Sequence, residues 1–107
     1  MTTLFPAMSA WSAELKREGQ IARRNLFEND TLKVDEVVFT PGASPGVHSH
    51  DVAGVRYVLE GEILFQEADG RRWTKKAGEV YWEGKGITHY TKNVGPGPLV
   101  LLEVLLK

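Results

Sequence analysis

The feature that most constrains this 107-residue chain is its punctuation: eleven glycines fall between short β-prone runs. No stretch keeps a sustained 3.6-residue apolar period, so many short strands with tight turns are expected, not alternating strands and helices. From residue 21 onward the runs are Ile21–Phe27, Leu32–Thr40, Val47–His50, Val55–Leu59, Ile63–Gln66, Trp73–Lys76, Val80–Trp82, Thr88–Thr91 and Leu99–Leu106. Glu28-Asn29-Asp30-Thr31 has turn chemistry, Pro41–Gly46 reads as a loop, and Ala68-Asp69-Gly70-Arg71 reads as a hairpin tip. The pattern predicts an all-β domain, a small antiparallel barrel of jelly-roll type. The last run is almost continuously apolar, which fits a strand buried on both faces or an edge covered by a second subunit. Such terminal strands point to a homodimer.

The length suits one domain. Residues 1–20 read as an N-terminal arm, either loose with one buried aromatic or with Ser9 capping a short helix that carries Trp11 and Leu15 and ends at Gly19. Residues 21–107 form the barrel domain. A formal net charge of −1 gives no general attraction to nucleic acid or to an anionic membrane. The basic cluster Arg71-Arg72 with Lys75-Lys76 reads as a solvated hairpin, because it lacks interleaved aromatics. No apolar run approaches the roughly 20 residues needed to span a bilayer. The first eight residues lack the pattern of a secretory leader, and a cytoplasmic location is expected. Without cysteine there is no disulfide, no thiolate metal site and no thiol nucleophile. Any metal must therefore bind through imidazole or carboxylate.

The chain has three histidines, and two of them form His48-x-His50. Residues two apart on a strand share a face, so both rings can point to one ion. His89, from a different strand, can complete one side of the shell. Three protein ligands leave positions open for water or substrate.

These residues carry a resemblance. Gly42, five residues, His48-x-His50 and later Gly61 resemble the first motif of the cupin family. Gly78, five residues, Gly84-Lys85-Gly86, two residues, His89, three residues and Asn93 resemble the second. The resemblance implies a cupin barrel with a divalent ion (Fe, Zn, Ni or Mn, with Cu also open) on His48, His50 and His89. Gly84 stands where the family usually has proline, and either residue suits a turn. The glutamate of the first motif should stand at position 54, where this chain has Gly54. Cupins with three histidines and no glutamate are similar to non-haem iron dioxygenases of the thiol and β-diketone types.

An ion on three neutral imidazoles would keep its full charge and favour an anionic ligand. Asp51, Glu60, Glu62 and Glu83 are candidates for the missing carboxylate, although strand parity turns Asp51 away from the histidines. Arg56 shares parity with position 54 and can clamp a substrate carboxylate, or can instead pair with Glu36, Glu83 or another acid. Tyr57 or Tyr81 is a candidate general base. Phe39 and Val58 read as pocket walls, Thr91 as pocket lining or packing, and Asn93 as a structural turn residue. The function expected is a metal-dependent enzyme, dioxygenase-like, acting on a small anionic molecule. The alternatives are a non-catalytic small-molecule or metal-binding module and a metal-dependent isomerase or lyase. Metal occupancy is expected to fall below pH ~6.5, as the imidazoles protonate.

Overall fold

The computed structural model describes residues 15–107. The described chain is all strand and turn: β1 (Arg17–Glu18), β2 (Ile21–Glu28), β3 (Leu32–Phe39), β4 (Ser44–His48), β5 (Gly54–Glu60), β6 (Glu62–Glu67), β7 (Arg72–Lys76), β8 (Val80–Glu83), β9 (His89–Asn93) and β10 (Leu99–Leu106). Two five-stranded antiparallel sheets, ordered β1-β4-β9-β6-β7 and β2-β3-β10-β5-β8, face each other as expected of a jelly roll. Among the described residues no helix is long and apolar enough to cross a membrane. Most of the helix expected after Ser9 lies outside the described residues. Its last turn is corrected, because Arg17–Glu18 is extended and pairs with Pro45 and Ser44 of β4.

The sheets pack through alternate residues. Val37 and Phe39 of β3, Val58 of β5, Ile63 and Phe65 of β6, Tyr81 of β8, and Leu99 and Leu101 of β10 form the buried core. The C-terminal run is neither an edge nor a strand buried on both faces. β10 is paired by β3 on one side and β5 on the other. Its nearly continuous apolar sequence covers an inner face of Leu99 and Leu101 and a half-buried outer face of Val100, Leu102 and Val104.

Several joints are fixed by turn chemistry the sequence shows. Asn29 Oδ1 accepts from the backbone N–H of Thr31 and Leu32. Asn93, 1% exposed, donates to the carbonyls of Phe39, Thr40 and Gly97 and accepts from the N–H of Gly95, which is the structural role expected of it. Gly61 turns the corner from one sheet to the other at φ 90°. A Cβ there would lie 2.6 Å from the Pro98 carbonyl oxygen, so only glycine fits.

One row across the inner face of the second sheet is polar. Asn25, Asp35, Glu103, Arg56 and Tyr81 are successive cross-strand partners on β2, β3, β10, β5 and β8. Asp35 and Glu103 would repel as direct neighbours. Arg23 Nη1 contacts both, at 3.0 Å from Asp35 Oδ2. Arg56, 1% exposed, has Nη2 at 2.9 Å from Glu83 and Nε at 3.6 Å from Glu103. Its N–H groups make no well-aligned hydrogen bond, so this pairing is mainly Coulombic. Burying an isolated guanidinium costs several kcal/mol, and two carboxylates offset that. Replacing Arg56 with Met leaves the buried Glu83 without its guanidinium, while Glu103 keeps Arg23. We expect Arg56→Met to lower stability by about 3–5 kcal/mol in urea unfolding followed by circular dichroism. A change below about 1 kcal/mol would show that the row does not depend on this residue.

Candidate metal centre

β4 and β9 are adjacent, and their register sets His48 directly opposite His89. The ring centroids of that pair are 4.5 Å apart. His50 joins them at 4.8 Å from His48 and 5.2 Å from His89. The route is not the one expected, because β4 begins at Ser44, inside the expected loop, and ends at His48. His50 therefore lies beyond the strand, and its backbone is fixed by Gly86, whose N–H donates to the His50 carbonyl at 2.8 Å. A glycine of the second motif thus positions a histidine of the first.

One ligating atom from each of the three residues lies within 4.8 Å of the others. Which nitrogen faces the centre is fixed for two of them. His48 Nδ1 lies 2.8 Å from the Gly46 carbonyl oxygen, and His89 Nδ1 lies 2.9 Å from that of Ile87. Each carbonyl belongs to the residue two before the histidine. A carbonyl oxygen accepts from a protonated Nδ1, which leaves Nε2 with its lone pair free. His89 Nε2 is buried without a hydrogen-bond partner, which fits a nitrogen that ligates a cation. Burial pushes His48 below the ordinary imidazole range and lowers His89 to about 4, so both rings are neutral near pH 7, the state a ligand needs. Phe65 stacks on His89 at 4.8 Å and holds the ring from behind.

The candidate carboxylates separate clearly. Asp51 and Glu60 are exposed, and Glu62 pairs with Lys76 at the start of β6. Glu83, 4% exposed, lies beside the histidines: Oε1 is 3.1 Å from His50 Nε2 and Oε2 is 3.7 Å from His89 Nε2. Burial raises its pKa, but the His50 ring and the Arg56 guanidinium outweigh that and hold it below the usual glutamate range. Parity alone could not favour Glu83, because its position depends on β5 pairing with β8, which sets it opposite Gly54.

Of the two readings of Arg56, the structure shows the pairing one: the side chain faces the interior with position 54 and lies against Glu83 and Glu103. Tyr57 is 40% exposed on the outer face, since alternation along β5 buries Gly54, Arg56 and Val58 instead. Of the two candidate tyrosines, Tyr81 is the buried one. Burial first, then the Glu83 charge, push its phenol well above the ordinary range, so it holds its proton and is no base at neutral pH. His48 and His50 open into a cavity of about 230 Å³ whose lining includes Phe39, as expected, with Thr91, Val37, Ile63 and Leu101, whereas Val58, expected as a pocket wall, packs in the core.

Known proteins agree with this architecture. The cupin domain model matches residues 35–105. Pirin-like protein 2 of Arabidopsis thaliana is 34% identical over 95 residues, covering 78% of this chain and 30% of its own. The chain thus spans about a third of the length of the pirin-like relatives it matches. The oxalate-binding protein of Thermotoga maritima is 27% identical over 95 residues, covering 83% of this chain and 78% of its own. The crystal structure of a cupin domain from Bordetella pertussis superposes with a TM-score of 0.70 at 27% identity, covering 86% of this chain and 97% of that one. With most of the barrel matched and both histidine motifs brought to one centre, this chain belongs to the cupin domain family.

Proposed function

We propose that this cupin holds one divalent ion on His48, His50 and His89 and presents it to a small anionic molecule in the barrel interior. The observation that carries the reading is the convergence of three imidazoles, two of them locked by backbone carbonyls with Nε2 directed away from those bonds. A bound ion supplies a Lewis acid and, if it is iron, a centre for oxygen chemistry. The chain's own residues supply the rest. Val37, Phe39, Ile63 and Leu101 form an apolar wall, and about 230 Å³ limits the guest to a small molecule. Arg17 at the cavity favours a negative one, while Arg23 there is shared between Asp35 and Glu103. The similarity to an oxalate-binding protein supports a small carboxylate.

The finer reading is a dioxygenase-like enzyme. A second reading, a binding module without turnover, is favoured by Tyr81 holding its proton and by the oxalate-binding relative. Loading with Fe(II), then adding oxalate and a panel of small carboxylates, separates them. Saturable oxygen uptake supports the enzyme, and calorimetric binding without uptake supports the module. Neither uptake nor binding would remove the small-anion reading.

Metal analysis after incubation with Fe, Zn, Ni or Mn should find one ion per chain. His48→Ala should weaken binding by at least about tenfold, as expected when one ligand of the shell is lost. A proton competes with the ion for each imidazole, and a lowered pKa moves that competition to lower pH. Since His89 is lowered to about 4, its share of the loss should come near that pH and not near the ordinary ~6.5. A metal-free protein at every condition would sink the reading.

We also propose a homodimer through the outer face of the second sheet. Val55, Tyr57, Leu59, Val80 and Trp82 are exposed there, and the register pairs Val55 with Trp82 and Tyr57 with Val80. Such a contiguous apolar patch favours association. Sedimentation should show a dimer, and Trp82→Lys should shift it to monomer with the fold retained. A monomeric wild type overturns this.

A further inference from the structure

Position 54 cannot carry the family's carboxylate. A Cβ at Gly54 would lie 2.4 Å from the Val104 carbonyl oxygen, 3.0 Å from Arg56 Nη1 and 3.1 Å from Leu105 Cδ2. The first of these is a backbone atom and cannot move aside alone. Directly across the β5–β8 ladder stands Glu83. The acid absent from one strand is therefore present on its neighbour, at the facing position.

We infer that Glu83 is the carboxylate ligand of the metal centre, supplied from β8 in place of position 54. This rests on the three-histidine reading proposed above. The side on which Glu83 lies is decisive. His89 gives Nδ1 to the Ile87 carbonyl, so Nε2 is its ligating nitrogen. It is Nε2 that Glu83 Oε2 approaches, at 3.7 Å. Glu83 thus stands on the metal side of His89. Its Oε1 is 3.1 Å from His50 Nε2. Metal–ligand bonds of about 2.0–2.2 Å put neighbouring ligand atoms roughly 3–3.5 Å apart, so the His50 separation is that of a shell edge and the His89 separation lies a few tenths of an ångström beyond it. Glu83 Oε1 and His89 Nε2 are both buried without an aligned hydrogen-bond partner, and one cation satisfies both.

The inference changes the charge of the centre. A divalent ion on three neutral rings carries +2, whereas with Glu83 the centre carries +1. Arg56 becomes a positioning residue, holding the Glu83 carboxylate at 2.9 Å without touching the ion's guest.

Zinc-loaded wild-type crystals, with the ion located by anomalous scattering, test this directly. A Glu83 oxygen about 2.0–2.2 Å from zinc is the expected result. Zinc on the three histidines with both Glu83 oxygens beyond about 3 Å overturns the inference and leaves the histidine site intact. Absence of zinc from the centre overturns both. In solution, Co(II) titration of Glu83→Gln should show affinity reduced about tenfold or more, together with a changed visible absorption band. Weaker binding with an unchanged band means Glu83 acts only through the His50 ring, and so also overturns it. Glu83→Asp keeps the charge beside Arg56 while shortening the arm. It should fold even if the amide does not, and should show the same spectral change.

Discussion

A guanidinium with 1% exposure inside a 107-residue barrel can persist only if its charge is answered from close by. Arg56 is answered by Glu83 on one side and Glu103 on the other. Glu103 is shared with Arg23, Arg23 with Asp35, and Asp35 with Lys33 at 3.7 Å and Asn25 at 2.9 Å. The strand order β2-β3-β10-β5-β8 is what makes this alternation possible, since each pairing delivers one member of the chain. At one end the row meets solvent through Arg23, and at the other it meets the histidines through Glu83. The apolar core of Val58, Ile63, Leu99 and Leu101 closes the barrel around it.

Fold class and the histidine centre were legible from sequence because both rest on local or motif-bound signals. Strand boundaries follow from β-prone runs between turn residues, and Leu99–Leu106 matches to the residue. The three histidines converge because two spaced motifs bring them together. What was not legible depends on which strand lies beside which. Nothing in Val80–Glu83 alone says that Glu83 will face Gly54, since that follows from the β5–β8 register. His50 reaches the centre from beyond a strand end, held by Gly86, so same-face parity gave the right residue for the wrong reason. Tyr57 misled because alternation along β5 has two phases, and its neighbour Arg56 takes the inner one.

The fold is shared widely, and the site is what distinguishes one member from another. Here the features of the site are two neutral imidazoles, His48 and His89, each kept in one tautomer by the chain's own carbonyls, and a single buried acid beside them. Both are preorganised before any ion arrives. These two rings need not lose protons near pH 7, and the acid need not be drawn in from solvent.

Gly54 has a consequence for how such a site can change over generations. The space where a side chain at position 54 would begin lies 3.0 Å from Arg56 Nη1 and 2.4 Å from the Val104 carbonyl oxygen. Placing an acid there by one codon change would meet both. Removing Arg56 first would strand Glu83 as an unneutralised charge. The two arrangements are thus separated by unfavourable intermediates, and Gly54, Arg56 and Glu83 should be inherited as a linked set. Homologues that carry an acid at the first position should lack the arginine two residues later.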